Sequence, residues 1–127
     1  MNQIFSPTNS RNLFIAALVL GAVLRWLQIG SHSFWYDEAL SSLIASLDVS
    51  QILANAAASD HPPGYDLLLH FWLALGHSEA AIRSLSALFS WAAIPLTFGL
   101  GRWLFDKPTA AVAALAMAIF PFQIYFA

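Results

Sequence analysis

Three apolar runs dominate this chain, at about residues 13–29, 80–104 and 109–127. Each is near or above the length at which a helix crosses a ~30 Å hydrocarbon core, roughly 17–25 residues. Inside lipid there is no water to satisfy backbone amides, so a spanning segment must be a helix or part of a closed barrel. The strict apolar–polar alternation of barrel strands is absent, which leaves helices. Composition agrees. The chain is 59% hydrophobic and 9% charged, with a mean hydropathy of +0.67, whereas a soluble domain carries about a quarter charged residues. The expectation is an all-α integral membrane protein with three transmembrane helices. No small-residue cleavage site precedes Arg25-Trp26, so the first run reads as an uncleaved anchor.

Charge placement suggests an orientation. Arg11, Arg102 and Lys107 fall on one side of the expected spans, and the loop at about 30–79 holds six acids and no Lys or Arg. A Lys/Arg excess in short loops marks the cytoplasmic side, so the N-terminus is expected in the cytoplasm and the acidic loop outside. Arg25 and Arg83 lie at the ends of the flanking helices, where long side chains can snorkel to the interface. The net charge of −2 and the scattered cations exclude a nucleic-acid partner, which needs clustered Lys and Arg. No cysteine is present, so disulfides and thiolate chemistry are excluded.

The loop is too long for a simple connection between helices, and it is patterned. Leu40, Leu43, Ile44 and Leu47 recur at i, i+3, i+4 and i+7, the signature of an amphipathic helix. Asp48 followed by Gln51 resembles a capping box and predicts a second short helix through Ala58. Asp60-His61-Pro62-Pro63-Gly64 then breaks the chain, because two prolines remove two backbone donors. The segment from Tyr65 to Leu75 is apolar but short, hence interfacial rather than spanning. Gly76 is its expected stop and Ser78 the cap of the second long helix. The loop reads as a platform of short amphipathic helices on the outer membrane surface.

Asp37-Glu38, directly after Phe34-Trp35-Tyr36, are the leading candidates for chemistry. Acids at a membrane rim are expensive, and their default reading is functional. Neighbouring helical residues point about 100° apart, so one carboxylate can face a site while the other caps a helix or orients a partner. The competing reading has both capping a helix that begins near Ala39. Tyr36 and Trp35 suit the headgroup level, with an apolar ring and a polar tip. His61 is either a site residue or a satisfied hydrogen-bond partner beside a rigid Pro-Pro elbow. Arg83 is either a fork for phosphate oxygens or an interface anchor. Asp60, His61, Asp66 and His70 include an i, i+4 pair, but with no pattern such as HExxH a plain Asp–His contact is preferred and no metal is assigned.

Leu24-Arg25-Trp26, Ser33-Phe34-Trp35-Tyr36-Asp37-Glu38-Ala39, Asp60-His61-Pro62-Pro63-Gly64-Tyr65 and Glu79-Ala80-Ala81-Ile82-Arg83 together closely resemble bacterial family 39 glycosyltransferases. These enzymes are similar to dolichyl-phosphate-mannose protein mannosyltransferases, the aminoarabinose transferase of lipid A and Rgt-like lipopolysaccharide sugar transferases. The resemblance implies a GT-C fold in the bacterial inner membrane and a polyprenyl-phosphate sugar as donor. It further implies inverting transfer to an acceptor hydroxyl at the outer face, with Asp37 as catalytic base and Glu38 in support. Tyr36, His61 and Arg83 are the corresponding candidates for substrate binding. A carboxylate beside apolar rings is desolvated, which would favour such a base. No cofactor is firmly implied by the resemblance; a divalent metal stays open, as do the sugar, the acceptor and the oligomeric state. Membrane lipids and the lipid-linked donor are the expected partners. Such enzymes run to several hundred residues, so the expectation is an N-terminal part that is inactive alone. The alternatives are a small non-catalytic membrane subunit and a transporter fragment; acids clustered outside, rather than at mid-membrane, count against the second.

Overall fold

The computed structural model describes residues 7–27, 29, 35–59 and 61–125. Among them are helices α1 (Pro7–Trp26), α2 (Tyr36–Ala45), α3 (Val49–Ala58), α4 (Gly64–Trp72), α5 (Glu79–Leu104), α6 (Lys107–Ile119) and α7 (Pro121–Tyr125), with a 3-10 turn Leu73–Leu75 and no strand. The chain divides into two compact units: Met1–Gln28 with Ser86–Ala127, and Ile29–Leu85.

Local chemistry explains most of the boundaries. Asp48 is the N-cap of α3, and Gln51 Oε1 accepts its backbone N–H at 3.2 Å. Ser78 Oγ accepts the N–H of Ala81 at 3.1 Å at the start of α5, and Asp106 Oδ1 accepts that of Thr109 at 2.8 Å at the start of α6. Each bond fills a backbone donor that a helix start leaves open. Gly76 ends the preceding turn at φ 153, a conformation that a side chain disfavours. The expectations for α3, Gly76 and Ser78 match these elements.

Among the described residues one helix, Glu79–Leu104, is long and apolar enough to cross a membrane, and it coincides with the second expected span. The other two expected spans do not meet that measure among the described residues. α1 covers residues 13–26 of the first and opens with the polar residues Pro7-Thr8-Asn9-Ser10-Arg11, which lie ahead of the expected apolar run. The run expected at 109–127 is broken: α6 has 13 residues and ends at Ile119, followed by Phe120 at ψ 117. The cause is Pro121, which drives the residue before it out of the helical region and brings no N–H of its own.

In the first unit, α1, α5 and α6 pack through small residues. Ala17, Ile94, Ala114 and Ala118 form a fully buried cluster, and Ala110 and Ala111 are equally buried. A Cβ on Gly101 would stand 2.9 Å from Ala110 Cα, so that glycine is what allows α5 and α6 to approach. Phe14 and Phe98 stack at 3.9 Å, and Trp91 Nε1 donates to the Leu18 carbonyl at 3.0 Å. Large apolar side chains such as Val19, Leu96, Trp103 and Val112 point outward, as they do where the solvent is lipid.

Arg25 departs most from the sequence reading. Rather than snorkelling outward, it is buried at 3% exposure. Its Nε donates to Ser90 Oγ at 2.8 Å, Nη1 to the carbonyls of Gly21 at 3.1 Å and Ala118 at 3.0 Å, and Nη2 to that of Met117 at 3.3 Å. An uninterrupted helix would satisfy the Met117 carbonyl with the N–H of residue 121, and proline has none. The guanidinium supplies the missing donor. Ser90 Oγ in turn lies 2.9 Å from the Gln123 carbonyl and 3.2 Å from its Oε1, tying α7 to the same cluster.

The second unit holds a small core of Ala45, Leu69, Leu73, Ile82 and Leu85, with Trp72 against it. Trp72 Nε1 reaches the Ala81 carbonyl at 3.1 Å and Ser84 Oγ at 3.0 Å. On α2, Ala45 is buried, whereas Leu40 and Leu43 of the expected apolar stripe are exposed, the latter by 67%. On α4, Leu69 is buried while Tyr65, Leu68 and Phe71 face out. Short helices that leave several large apolar side chains facing outward suit a surface wetted by lipid.

Candidate functional site

α2 begins earlier than Ala39. Trp35 is its N-cap and Tyr36 its first residue, so Asp37 and Glu38 both occupy the first turn, where the helix dipole favours negative charge. The two carboxylates nevertheless have different surroundings. Glu38 Oε2 accepts the backbone N–H of Trp35 at 3.0 Å and Nη2 of Arg83 at 2.7 Å, and Oε1 accepts Nε of Arg83 at 2.9 Å. This is a two-pronged guanidinium–carboxylate fork, the strong form of such a pair. Arg83 also donates from Nη1 to the Ile29 carbonyl at 3.2 Å. The side chains are only 11% (Arg83) and 34% (Glu38) exposed. The Arg83 hydrogen bonds hold the Glu38 carboxyl below the ordinary glutamate range, with help from the Trp35 N–H and against the opposing effect of burial.

Asp37, one position along, is exposed. The desolvated setting expected for it is therefore absent. Among the described residues its carboxylate has no hydrogen-bond or ion-pair partner. Tyr36 beside it is 81% exposed and Trp35 61%, so an aromatic rim stands next to an open carboxylate.

The other candidates are less closely joined. His61 is exposed, and its charge acts on Asp66. Burial pushes the Asp66 carboxyl above the ordinary aspartate range, and His61 opposes this. Of the Asp–His pairs the sequence allowed, Asp66 interacts electrostatically with His61 and makes no hydrogen bond with His70. His70 Nδ1 lies 2.8 Å from the Ala45 carbonyl instead, because the last residue of α2 has a free carbonyl that a ring N–H can satisfy. Asp60 lies outside the described residues, and among those described no three metal-ligating side chains come together. The structure thus joins Glu38 to Arg83 and sets Asp37 beside them. No described hydrogen bond links His61 to that group.

The family model for dolichyl-phosphate-mannose-protein mannosyltransferase matches residues 60–127, more than half of the chain. The chain belongs to that family. Neither a curated protein nor a solved structure matches it. The segment matched to the mannosyltransferase family contains His61, Arg83 and all of α4 to α7, while Asp37 and Glu38 lie ahead of it. Membership brings a membrane-associated glycosyltransferase family of the GT-C type, in keeping with the apolar helix Glu79–Leu104.

Sequence reasoning missed Arg25. The signal was Pro121, whose position inside an apolar run announces an unpaired carbonyl one turn earlier. Nothing local shows that a residue on α1 would fill it.

Proposed function

We propose that this chain contributes the base-bearing face of a sugar transferase. Its donor would be a polyprenyl-phosphate sugar and its acceptor a hydroxyl, with the reaction at the outer membrane face and inversion at the anomeric carbon. The observation that carries the reading is the unequal treatment of the acid pair. Glu38 is consumed by Arg83 and the Trp35 N–H, which leaves Asp37 exposed and unpaired among the described residues. Asp37 accepts the acceptor's hydroxyl proton as the oxygen bonds to the anomeric carbon. The bond from that carbon to the phosphate oxygen breaks, and polyprenyl phosphate leaves with its electron pair. One base suffices, because the phosphate leaves without needing a proton.

In this reading Glu38 and Arg83 are positioning residues that fix the start of α2 and so the direction of Asp37. Arg83 is also the one Lys or Arg between residues 29 and 85, and its charge favours the leaving phosphate electrostatically. Tyr36, next to Asp37 in α2, and His61 are the groups proposed to touch sugar or acceptor.

Asp37→Asn in the native protein tests the assignment. Transfer of sugar from a defined polyprenyl-phosphate donor is expected to fall by at least ~100-fold, the scale of a lost general base, with membrane levels unchanged. Turnover near that of the parent would refute Asp37 as the base.

A further inference from the structure

At its C-terminal end, α5 carries a shallow open groove of about 310 Å³ lined by Phe98, Gly99, Arg102 and Trp103. Its floor is apolar. A Cβ on Gly99 would meet nothing within 4 Å, so the glycine leaves a gap in the outer face of α5 rather than serving a helix contact. Phe98 is held from behind by its stack on Phe14. The Arg102 guanidinium stands over the Phe98 ring at 5.8 Å, and Trp103, 81% exposed, forms the far wall. Leu96 and Leu100, 71% and 55% exposed, continue the apolar side along the helix.

The charges at this end are one-sided. Lys107 follows Arg102 across the short turn between α5 and α6. Arg11 lies about one turn before Phe14 on α1, as Arg102 lies one turn after Phe98 on α5, and the Phe14–Phe98 stack brings the two to a common level. All three cations are exposed, and among the described residues none has a carboxylate partner. The nearest acid in sequence, Asp106, turns its carboxylate to the N–H of Thr109.

We infer that this groove binds an anionic glycerophospholipid of the leaflet at the Arg102 end, its phosphate at Arg102 and one acyl chain laid over Phe98 and Gly99. A soluble anion would find cations but no use for the apolar gap. A neutral lipid would fill the gap and leave the cations unpaired. An anionic lipid satisfies both, with the indole of Trp103 at headgroup depth.

The test is native mass spectrometry of the full chain in mild detergent, titrated separately with phosphatidylglycerol, phosphatidylcholine and glycerol 3-phosphate. Phosphatidylglycerol is expected to bind at least ~10-fold more tightly than phosphatidylcholine, and glycerol 3-phosphate not to compete. Arg102→Gln and, independently, Gly99→Leu should each abolish that preference. Both positions are exposed, and unchanged melting temperatures would confirm intact folding. Equal binding of the two lipids in the parent chain overturns the inference without recourse to any variant. So does competition by glycerol 3-phosphate, or a preference that survives Gly99→Leu, which would reduce the groove to a general band of charge.

Discussion

Two arginines show how differently one side chain can be used. Arg83 meets a carboxylate, whereas Arg25 meets carbonyls and one hydroxyl. Glu38 in the Glu38–Arg83 fork is about a third exposed, so screening limits the pair's worth to about 1 kcal/mol. Geometry matters more than charge there. Arg83→Lys keeps the cation and loses the planar fork, and the expected result is reduced transfer with little change in stability. The exchanged pair, Glu38→Arg with Arg83→Glu, should recover activity beyond either single change if the role is positioning. Failure to recover would point to Arg83 acting on the phosphate directly. The pH dependence has a definite sign. The folded state depresses the Glu38 carboxyl, so its contribution is complete above the ordinary glutamate range, near pH 4.3. That contribution declines as pH falls through the lower folded value. Near-ultraviolet circular dichroism on acidification, compared between the parent and Glu38→Gln, reads this directly.

At the scale of elements, the break between α6 and α7 is a two-part device: Pro121 removes a donor and Arg25 restores one. Arg25→Leu strands the carbonyls of Met117 and Ala118, at about 1–3 kcal/mol for each buried acceptor left without a partner. Adding Pro121→Ala lets α6 continue and returns the amide. In a double-mutant cycle followed by thermal unfolding in detergent, the pair is expected to lose less than the sum of the singles; strict additivity would deny the coupling. The same elements show what a sequence can tell. Asp48, Gly76 and Ser78 were legible because caps and stops depend on residues within a few positions of each other. The Glu38–Arg83 and His70–Ala45 contacts were not, since they join residues 45 and 25 positions apart and no local pattern encodes such a partner. The reading of 109–127 as one span took no account of Pro121, which breaks the helix there. On α2, periodicity reports that the helix has an apolar face but not whether protein or lipid covers it.

For the whole molecule, the number and size of outward apolar side chains favour an amphiphilic surrounding. Leu96, Trp103 and Phe105 are each more than 70% exposed, beyond what a soluble monomer commonly shows in one region. The chain is expected to stay with the membrane pellet through an alkaline carbonate wash and to be released by detergent. Recovery in the carbonate supernatant would contradict the spanning role of Glu79–Leu104. The acid pair and the family pattern were both readable before any fold was known. The division of labour within the pair was not, because it depends on which carboxylate Arg83 reaches. Arg25, finally, sets an order of assembly. During synthesis α1 emerges long before Met117 and Ala118, and until then its guanidinium has the Gly21 carbonyl of its own helix and, once α5 is made, Ser90 Oγ, but neither carbonyl of α6. A charge so poorly solvated by protein stays at the water's edge, so α1 rests high in the bilayer while α5 and α6 are made. Settling of the first helix therefore waits on the end of α6, and a chain stalled before residue 117 would hold α1 in a shallower position than the finished protein does.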